Sequence, residues 1–292
     1  MSLCNLNQVL HKAQKEKYGV LATVLFNFDF TEAVLSAAEE KRSPVILMIS
    51  EPLQRKYSYF NFKRLIGPIR DMAEESSVPV VLHLDHGKNY ESIIKYIDSG
   101  LTSVMISGSG DLEKNINRAK EITGIAHKYG VTVEGEVGAI EGEGGLEGEA
   151  ESKSKQEDIE KSYTGLEEGK KFVNNTGVDS LAVSIGTSHG FFKSKPKINF
   201  TLISELAREI EVPLVIHGAT GLSVNDYKEI IKRGIVKLNY YTGLITEATE
   251  EVKRLLNTRD YISFTELNYK SMQAVNKKAK WLMDVFGSTG KA

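Results

Sequence analysis

Eight short runs rich in Val, Ile and Leu, each separated from the next by a stretch of helical periodicity, constrain the fold of this 292-residue chain more than any other feature. The runs fall at residues 20–26, 45–49, 78–84, 103–106, 131–137, 179–185, 213–216 and 235–238. Helical spacing of apolar residues occupies 6–18, the stretch from Thr31 to Ser43-Pro44, and then 62–75, 90–98, 112–129, 165–176, 201–210 and 224–233. Strands that read as continuous apolar runs are buried on both faces and therefore parallel. Repeated strand–helix units of this kind predict an α/β fold, a single (β/α)8 TIM barrel over residues 1–292, with extra terminal helices at about 264–287. An open doubly wound sheet is the alternative.

Composition narrows the partners. A formal net charge of -2, with 41% hydrophobic and 26% charged residues, describes a soluble globular protein and gives no electrostatic reason to expect nucleic acid or an anionic membrane. Cys4 is the single cysteine, which excludes an intrachain disulfide and fits a reducing, cytoplasmic setting. The N-terminus has no apolar core of signal-peptide length, and no run reaches the roughly 18 apolar residues of a membrane span.

Three of the apolar runs end in the same way. Val80-Val81-Leu82-His83-Leu84-Asp85-His86-Gly87, Leu181-Ala182-Val183-Ser184-Ile185-Gly186-Thr187-Ser188-His189-Gly190 and Val212-Pro213-Leu214-Val215-Ile216-His217-Gly218 each deliver a histidine followed by glycine. In a barrel the C-terminal strand ends converge on one mouth, so His86, His189 and His217 are candidates for a metal held by three imidazoles with an open position. His11 and His127 fall on helices, and His83 lies inside its strand, where a packing role is the simpler reading. Glu134 and Glu136, two residues apart on the fifth strand, point the same way. Both face the mouth or both are buried and paired, and either can serve as a metal ligand or as the partner of a histidine. Asp85, adjacent to His86 but directed to another side, is a candidate acid/base, with a hydrogen-bonding role to a ligand as the alternative.

Two further stretches bear on the substrate. Gly218-Ala219-Thr220-Gly221 follows the seventh strand and Asn239-Tyr240-Tyr241-Thr242-Gly243 the eighth, the places where barrels of this class hold phosphate. Metal beside phosphate points to a phosphorylated carbonyl compound. The strand–helix rhythm breaks once, at about 138–164, in a Gly- and Glu-rich stretch that reads either as a solvated insertion or as a mobile loop over the mouth.

These blocks, taken in order, resemble the class II, zinc-dependent ketose-bisphosphate aldolases. The resemblance is carried by Val-Leu-His-Leu-Asp-His-Gly, Val-Glu-Gly-Glu-Val-Gly, the 177–190 stretch through Ser-Ile-Gly-Thr-Ser-His-Gly, Pro-Leu-Val-Ile-His-Gly-Ala-Thr-Gly and Lys-Leu-Asn with its following Thr, and it spans nearly the whole chain. It implies that His86, His189 and His217 hold Zn2+, with Glu136 near an alternative ion position and Na+ or K+ as a second cation. It implies that Asp85 exchanges the proton of the C4 hydroxyl, and that a loop glutamate, Glu147 or in reserve Glu143, handles the C3 proton. Ser50, Gly190, Lys193, Gly218, Ala219, Thr220, Asn239 and Thr242 match positions around the phosphate and the ketone half, and Arg259 matches an arginine that reaches the distal phosphate, in some relatives across a subunit interface.

The implied reaction is reversible cleavage of a ketose phosphate to dihydroxyacetone phosphate and an aldehyde, by a homodimer or homotetramer. Fructose 1,6-bisphosphate is the leading substrate. Tagatose 1,6-bisphosphate, 6-phospho-5-dehydro-2-deoxy-gluconate, or a non-catalytic phospho-sugar and zinc-binding role are the alternatives. Three departures stand out. Thr23 and Val24 occupy the place of a Phe-Asn pair, Ser107 stands where the family carries an aspartate, and Tyr240-Tyr241 replace smaller or polar residues.

Overall fold

The computed structural model describes residues 2–57, 63–108, 111–138, 162–190 and 196–292. After a two-residue strand β1 (Leu3–Cys4) and helix α1 (Leu6–Glu16), strands and helices alternate through β2 (Val20–Val24), α2 (Phe28–Lys41), β3 (Val45–Ser50), α3 (Glu51–Lys56), α4 (Lys63–Glu75), β4 (Val80–Gly87) and α5 (Tyr90–Asp98). The alternation continues through β5 (Ser103–Ile106), α6 (Leu112–Ala126), β6 (Thr132–Val137), α7 (Leu166–Thr176), β7 (Ser180–Val183), α8 (Phe200–Glu209), β8 (Leu214–Ile216), α9 (Val224–Lys232) and β9 (Ile235–Asn239). Helices α10 (Thr242–Thr258) and α11 (Phe264–Phe286) complete the chain.

Strands β2 to β9 are all parallel and run around the sheet in the order β4-β3-β2-β9-β8-β7-β6-β5. A further β4–β5 pairing closes it into the expected (β/α)8 barrel. The short β1 adds to the start of β4 through Leu3↔Val80.

Side chains alternate across these strands, and the two faces pack into different cores. Outward residues such as Leu21, Leu47, Leu82, Val104, Val133 and Leu238 meet the helices in one large cluster. Inward residues Ala22, Val24, Ile46, Met48, Val81 and Val236 form a second cluster with Leu6, Val9, Leu10 and Ala13 of α1. The first helix therefore plugs the N-terminal end of the barrel. Its start is fixed by Asn5, whose side chain accepts from the Gln8 amide while the Gln8 side chain accepts from the Asn5 amide. With that end closed, the chemistry is left to the opposite mouth.

The C-terminal helices correct one expectation. The 264–286 segment, expected outside the barrel repeat, is a single helix that packs against α2, α9 and β2 and so takes the last place in the helix ring. Asn268 donates to Asp29 (2.8 Å), Asn276 to the Ala33 carbonyl (3.1 Å) and Lys41 to Asp284 (2.7 Å), which aligns α11 parallel to α2 along its whole length. The inserted element is α10, which leans on α11 through ion pairs Lys278–Glu247 (3.1 Å) and Arg259–Glu266 (2.5 Å). Because Asn268 meets the N-terminus of α2, the turn between α10 and α11 stands on the mouth side of the ring. Among the described residues no helix is long and apolar enough to cross a membrane.

Candidate functional site

The three histidines singled out by their strand ends come together. Ring centroids lie 5.2 Å apart for His86 and His189, 5.0 Å for His86 and His217, and 5.6 Å for His189 and His217. One nitrogen of each ring lies within 4.8 Å of the others. Nδ1 of His217 faces Nε2 of His86 at 3.3 Å, and Nε2 of His217 lies 3.1 Å from Oε1 of Glu134. A carboxylate only accepts, so Nε2 of His217 carries the proton and its Nδ1 lone pair is turned inward. Burial holds His217 well below the ordinary histidine range and pulls His86 down to about 4. Three imidazoles whose ring nitrogens converge are the donor set of a zinc-type metal centre, so the residues present fit one.

The backbone explains how adjacent residues reach the same cavity. In a regular strand Asp85 and His86 would face opposite sides, but His86 has φ +54, a left-handed conformation that returns its ring to the barrel interior. The β4–β5 register slips between Leu84 and Gly87 at the same point. Gly87 is required here because a Cβ would come within 2.7 Å of Ile93 and of the Met105 carbonyl. Gly218, at φ +65, has the Ser188 carbonyl where a side chain would begin, so the loops bearing His189 and His217 touch through bare backbone. Asp85 Oδ1 ends 3.9 Å from Nε2 of His86, receives Asn239 Nδ2 at 3.4 Å, and is pushed by burial up to about 6.

Below this layer lies a buried polar set. Lys237, fully buried, pairs with Glu134 at 2.8 Å, and Glu134 in turn holds His217. His83 is also fully buried, with Nδ1 2.8 Å from the Ser103 hydroxyl; its Nε2 has no hydrogen-bond partner among the described residues. Both glutamates of β6 thus face the interior. Glu136 accepts from the Gly108 amide (2.9 Å), is raised by burial to about 7, and stands outside the converging histidine set. Ser107, in place of the expected aspartate, puts its hydroxyl 3.4 Å from Nδ1 of His86.

A cavity beside the histidines is lined by Asp85, His189, Gly190, Gly218, Thr220, Asn239 and Thr242, all expected at the site, together with Val24, Met48 and Tyr241. The two small-residue loops are sewn together: the Ala219 amide donates to the Asn239 carbonyl (3.1 Å) and the Gly243 amide to the Thr220 hydroxyl (3.2 Å). Helix α10 begins at Thr242, so its N-terminus opens on the same cavity.

Two expected contacts lie elsewhere. Ser50 is buried at the end of β3 and its hydroxyl caps α3 by accepting from the Leu53 amide (3.3 Å). Arg259 is at the far end of the 17-residue α10, about 25 Å of helix from Thr242, and is paired with Glu266. It does not reach the cavity of its own chain. Glu143, Glu147 and Lys193 lie outside the described residues. Lys237 and Met48 join the site without having been expected there. A lysine inside Ile235–Leu238, an otherwise apolar strand, is the available sequence signal for the first, and nothing local marks the second.

Three converging imidazoles, a buried carboxylate beside them and a helix N-terminus on one barrel mouth fit a metal-assisted enzyme acting on an anionic substrate. The sequence profile of the family described as fructose-bisphosphate aldolase class-II matches residues 4–291. The fructose-bisphosphate aldolase of Thermus caldophilus is 35% identical, with 98% of each chain covered. The 6-phospho-5-dehydro-2-deoxy-D-gluconate aldolase of Bacillus subtilis (strain 168) is 34% identical over 100% of this chain and 98% of its own. Among solved structures, the YdjI aldolase of Escherichia coli K12 superposes with a TM-score of 0.85 at 30% identity, covering 99% of each chain. The chain belongs to the class II fructose-bisphosphate aldolase family and is a metal-dependent aldolase, a carbon–carbon lyase.

Proposed function

We propose that this chain reversibly cleaves a ketose phosphate to dihydroxyacetone phosphate and an aldehyde, with Zn2+ held by His86, His189 and His217. The observation that carries the reading is the convergence of those three rings beside Asp85, on a cavity whose other wall is the start of α10. Bound zinc supplies a Lewis acid for the negative charge that develops on the ketone half as the carbon–carbon bond breaks.

The protein groups do the rest. The amides and hydroxyls of Gly190, Gly218, Thr220 and Thr242 and the positive end of α10 seat the phosphate of the ketone half. Asp85 takes the proton from the hydroxyl on the carbon that becomes the aldehyde. Its environment suits a general base, since burial raises its proton affinity while Asn239 holds one oxygen. Asn239 Oδ1 has no hydrogen-bond partner among the described residues, which supports a substrate hydroxyl as its partner. The proton returned to the ketone half is assigned to Glu147, with Glu143 in reserve. Glu136 stays outside the ligand set proposed here. A homodimer or homotetramer belongs to this reading, supported by the exposed Tyr261 and Phe264 beside the α10–α11 turn.

Fructose 1,6-bisphosphate, tagatose 1,6-bisphosphate and 6-phospho-5-dehydro-2-deoxy-gluconate all contain the dihydroxyacetone phosphate half that the polar wall fits. The test is a coupled assay for dihydroxyacetone phosphate across these three compounds, before and after chelation and zinc return. Release of that product by the zinc-loaded protein, lost on chelation, is expected. Stoichiometric zinc with no product from any of the three would instead support the non-catalytic reading.

A further inference from the structure

The cavity beside the histidines has two unlike walls. From β7 round to β9 it is bounded by Gly190, Gly218, Thr220 and Thr242, which present amides and hydroxyls. From β2 to β3, the arc that lies between β9 and β4 in the closed barrel, it is bounded by Val24 and Met48. The two residues are 3% and 1% exposed and belong to the interior aliphatic cluster with Ala22, Ile46 and Val81. The register Val24↔Met48 and Met48↔His83 sets them side by side, leading toward Asp85 two residues further along β4.

Such a wall discriminates by desolvation. A sugar hydroxyl laid against it gives up its water and meets only hydrocarbon and a thioether, whereas a methylene in the same place keeps its dispersion contacts. The substrate half that meets this wall follows from the polarity of the cavity. The phosphate of the ketone half takes the polar arc, Asp85 marks the carbon whose hydroxyl becomes the aldehyde oxygen, and the remainder of the aldehyde half continues along the β2–β3 arc.

We infer that the aldehyde half carries no hydroxyl on the carbon next to its carbonyl, because Val24 and Met48 line the place where that hydroxyl would sit. This inference rests on the aldolase reading above and narrows it: the substrate is a ketose phosphate with a deoxy carbon beside the cleaved position, rather than fructose 1,6-bisphosphate. In cleavage, the hydroxyl proton passes to Asp85, the carbon–oxygen double bond forms, and the electron pair of the broken carbon–carbon bond passes to the ketone half. The deoxy carbon takes no part, so its effect is on binding and alignment.

The experiment runs the zinc-loaded enzyme in the condensation direction, with dihydroxyacetone phosphate and two acceptors that differ by one hydroxyl, glyceraldehyde 3-phosphate and 3-phosphooxypropanal. A hydrocarbon pocket separates such a pair by about 10- to 100-fold in kcat/KM, and the deoxy acceptor is expected to be preferred by that factor. Val24→Asn is expected to reduce the preference at least about tenfold, while the KM for dihydroxyacetone phosphate stays within roughly twofold. If Val24→Asn folds poorly, Val24→Thr keeps the side-chain shape, adds one hydroxyl and is read in the same way. Equal use of the two acceptors, preference for the hydroxylated one, or a ratio untouched by these substitutions overturns the inference and leaves the aldolase reading standing. No condensation with either of them or with malonate semialdehyde, the deoxy aldehyde half of 6-phospho-5-dehydro-2-deoxy-gluconate, sinks both.

Discussion

His86 does two jobs with one torsion angle. Its φ of +54 brings consecutive side chains, Asp85 and His86, to one cavity, where an extended strand would separate them. The sequence announced both residues, since an apolar strand ending in Asp-His-Gly has few purely structural readings, yet strand alternation directed them apart. A left-handed residue that is neither Gly nor Asn leaves no local signature, and its strain is held by the neighbours that fix the strand end. Because Asp85 lies beside the converging nitrogens without belonging to them, loss of its carboxylate separates chemistry from metal binding. Asp85→Asn is expected to lower kcat by about 10²- to 10⁴-fold while the protein retains its full zinc content. Steady-state kinetics together with metal analysis on the same preparation check this, and a parallel loss of zinc would show that the residue serves the metal instead.

Strands β6 and β9 contribute a layer that only their closure into a barrel brings together. Glu134 and Lys237 are 103 positions apart, fully buried, and joined at 2.8 Å, with Glu134 bonded in turn to His217. The pattern of eight runs was enough to place every barrel strand, because a doubly buried parallel strand leaves a continuous apolar signal. It said little about which inward polar residues meet, since that depends on stagger around the closed sheet; the slip between Leu214 and Val215, where β8 pairs with β9, is one such detail. The helix ring shows the same limit. Periodicity found about 264–287 as helical but could not tell which of two successive helices packs on α2. For the buried pair, Lys237→Met leaves Glu134 as an uncompensated charge and is expected to destabilise the fold by about 3–5 kcal/mol. The double change Lys237→Met/Glu134→Gln removes both charges and is expected to recover most of that loss. Without its carboxylate partner, His217 should still cost the double variant roughly 10- to 100-fold in zinc affinity. Urea denaturation and competition with a zinc chelator measure the two effects separately, and unchanged zinc affinity in the folded double variant would deny Glu134 any role in orienting His217.

For the whole molecule, the two ends of the barrel carry different liabilities. At the plugged end, Tyr18 is buried with no hydrogen-bond partner for its hydroxyl among the described residues, and burial, followed by the charge of Glu16, pushes its pKa up to about 12. Below its ordinary value of 10 the phenol is neutral in both states and its contribution is fully present. Between 10 and about 12 the unfolded chain ionises while the native one does not, so stability falls as pH rises through that window. Tyr18→Phe is expected to flatten this loss in urea titrations at pH 8 and pH 11, and equal pH slopes for the two proteins would refute the assignment. At the mouth side, Tyr261 and Phe264 are 83% and 82% exposed beside the α10–α11 turn. Large aromatics exposed together beside one turn are what a subunit interface would cover, and Arg259 sits beside them, out of reach of its own cavity. Association through this turn would both cover the aromatics and carry Arg259 toward a neighbouring mouth. Light scattering is expected to give at least twice the 32.4 kDa chain mass, and Tyr261→Ser/Phe264→Ser is expected to give the monomer with unchanged circular dichroism. If Arg259 acts across that interface, Arg259→Ala raises KM in the intact oligomer, and the monomeric variant shows the same rise without losing zinc. A wild-type protein that is monomeric at assay concentration, with Arg259→Ala kinetically silent, would confine the site to a single chain.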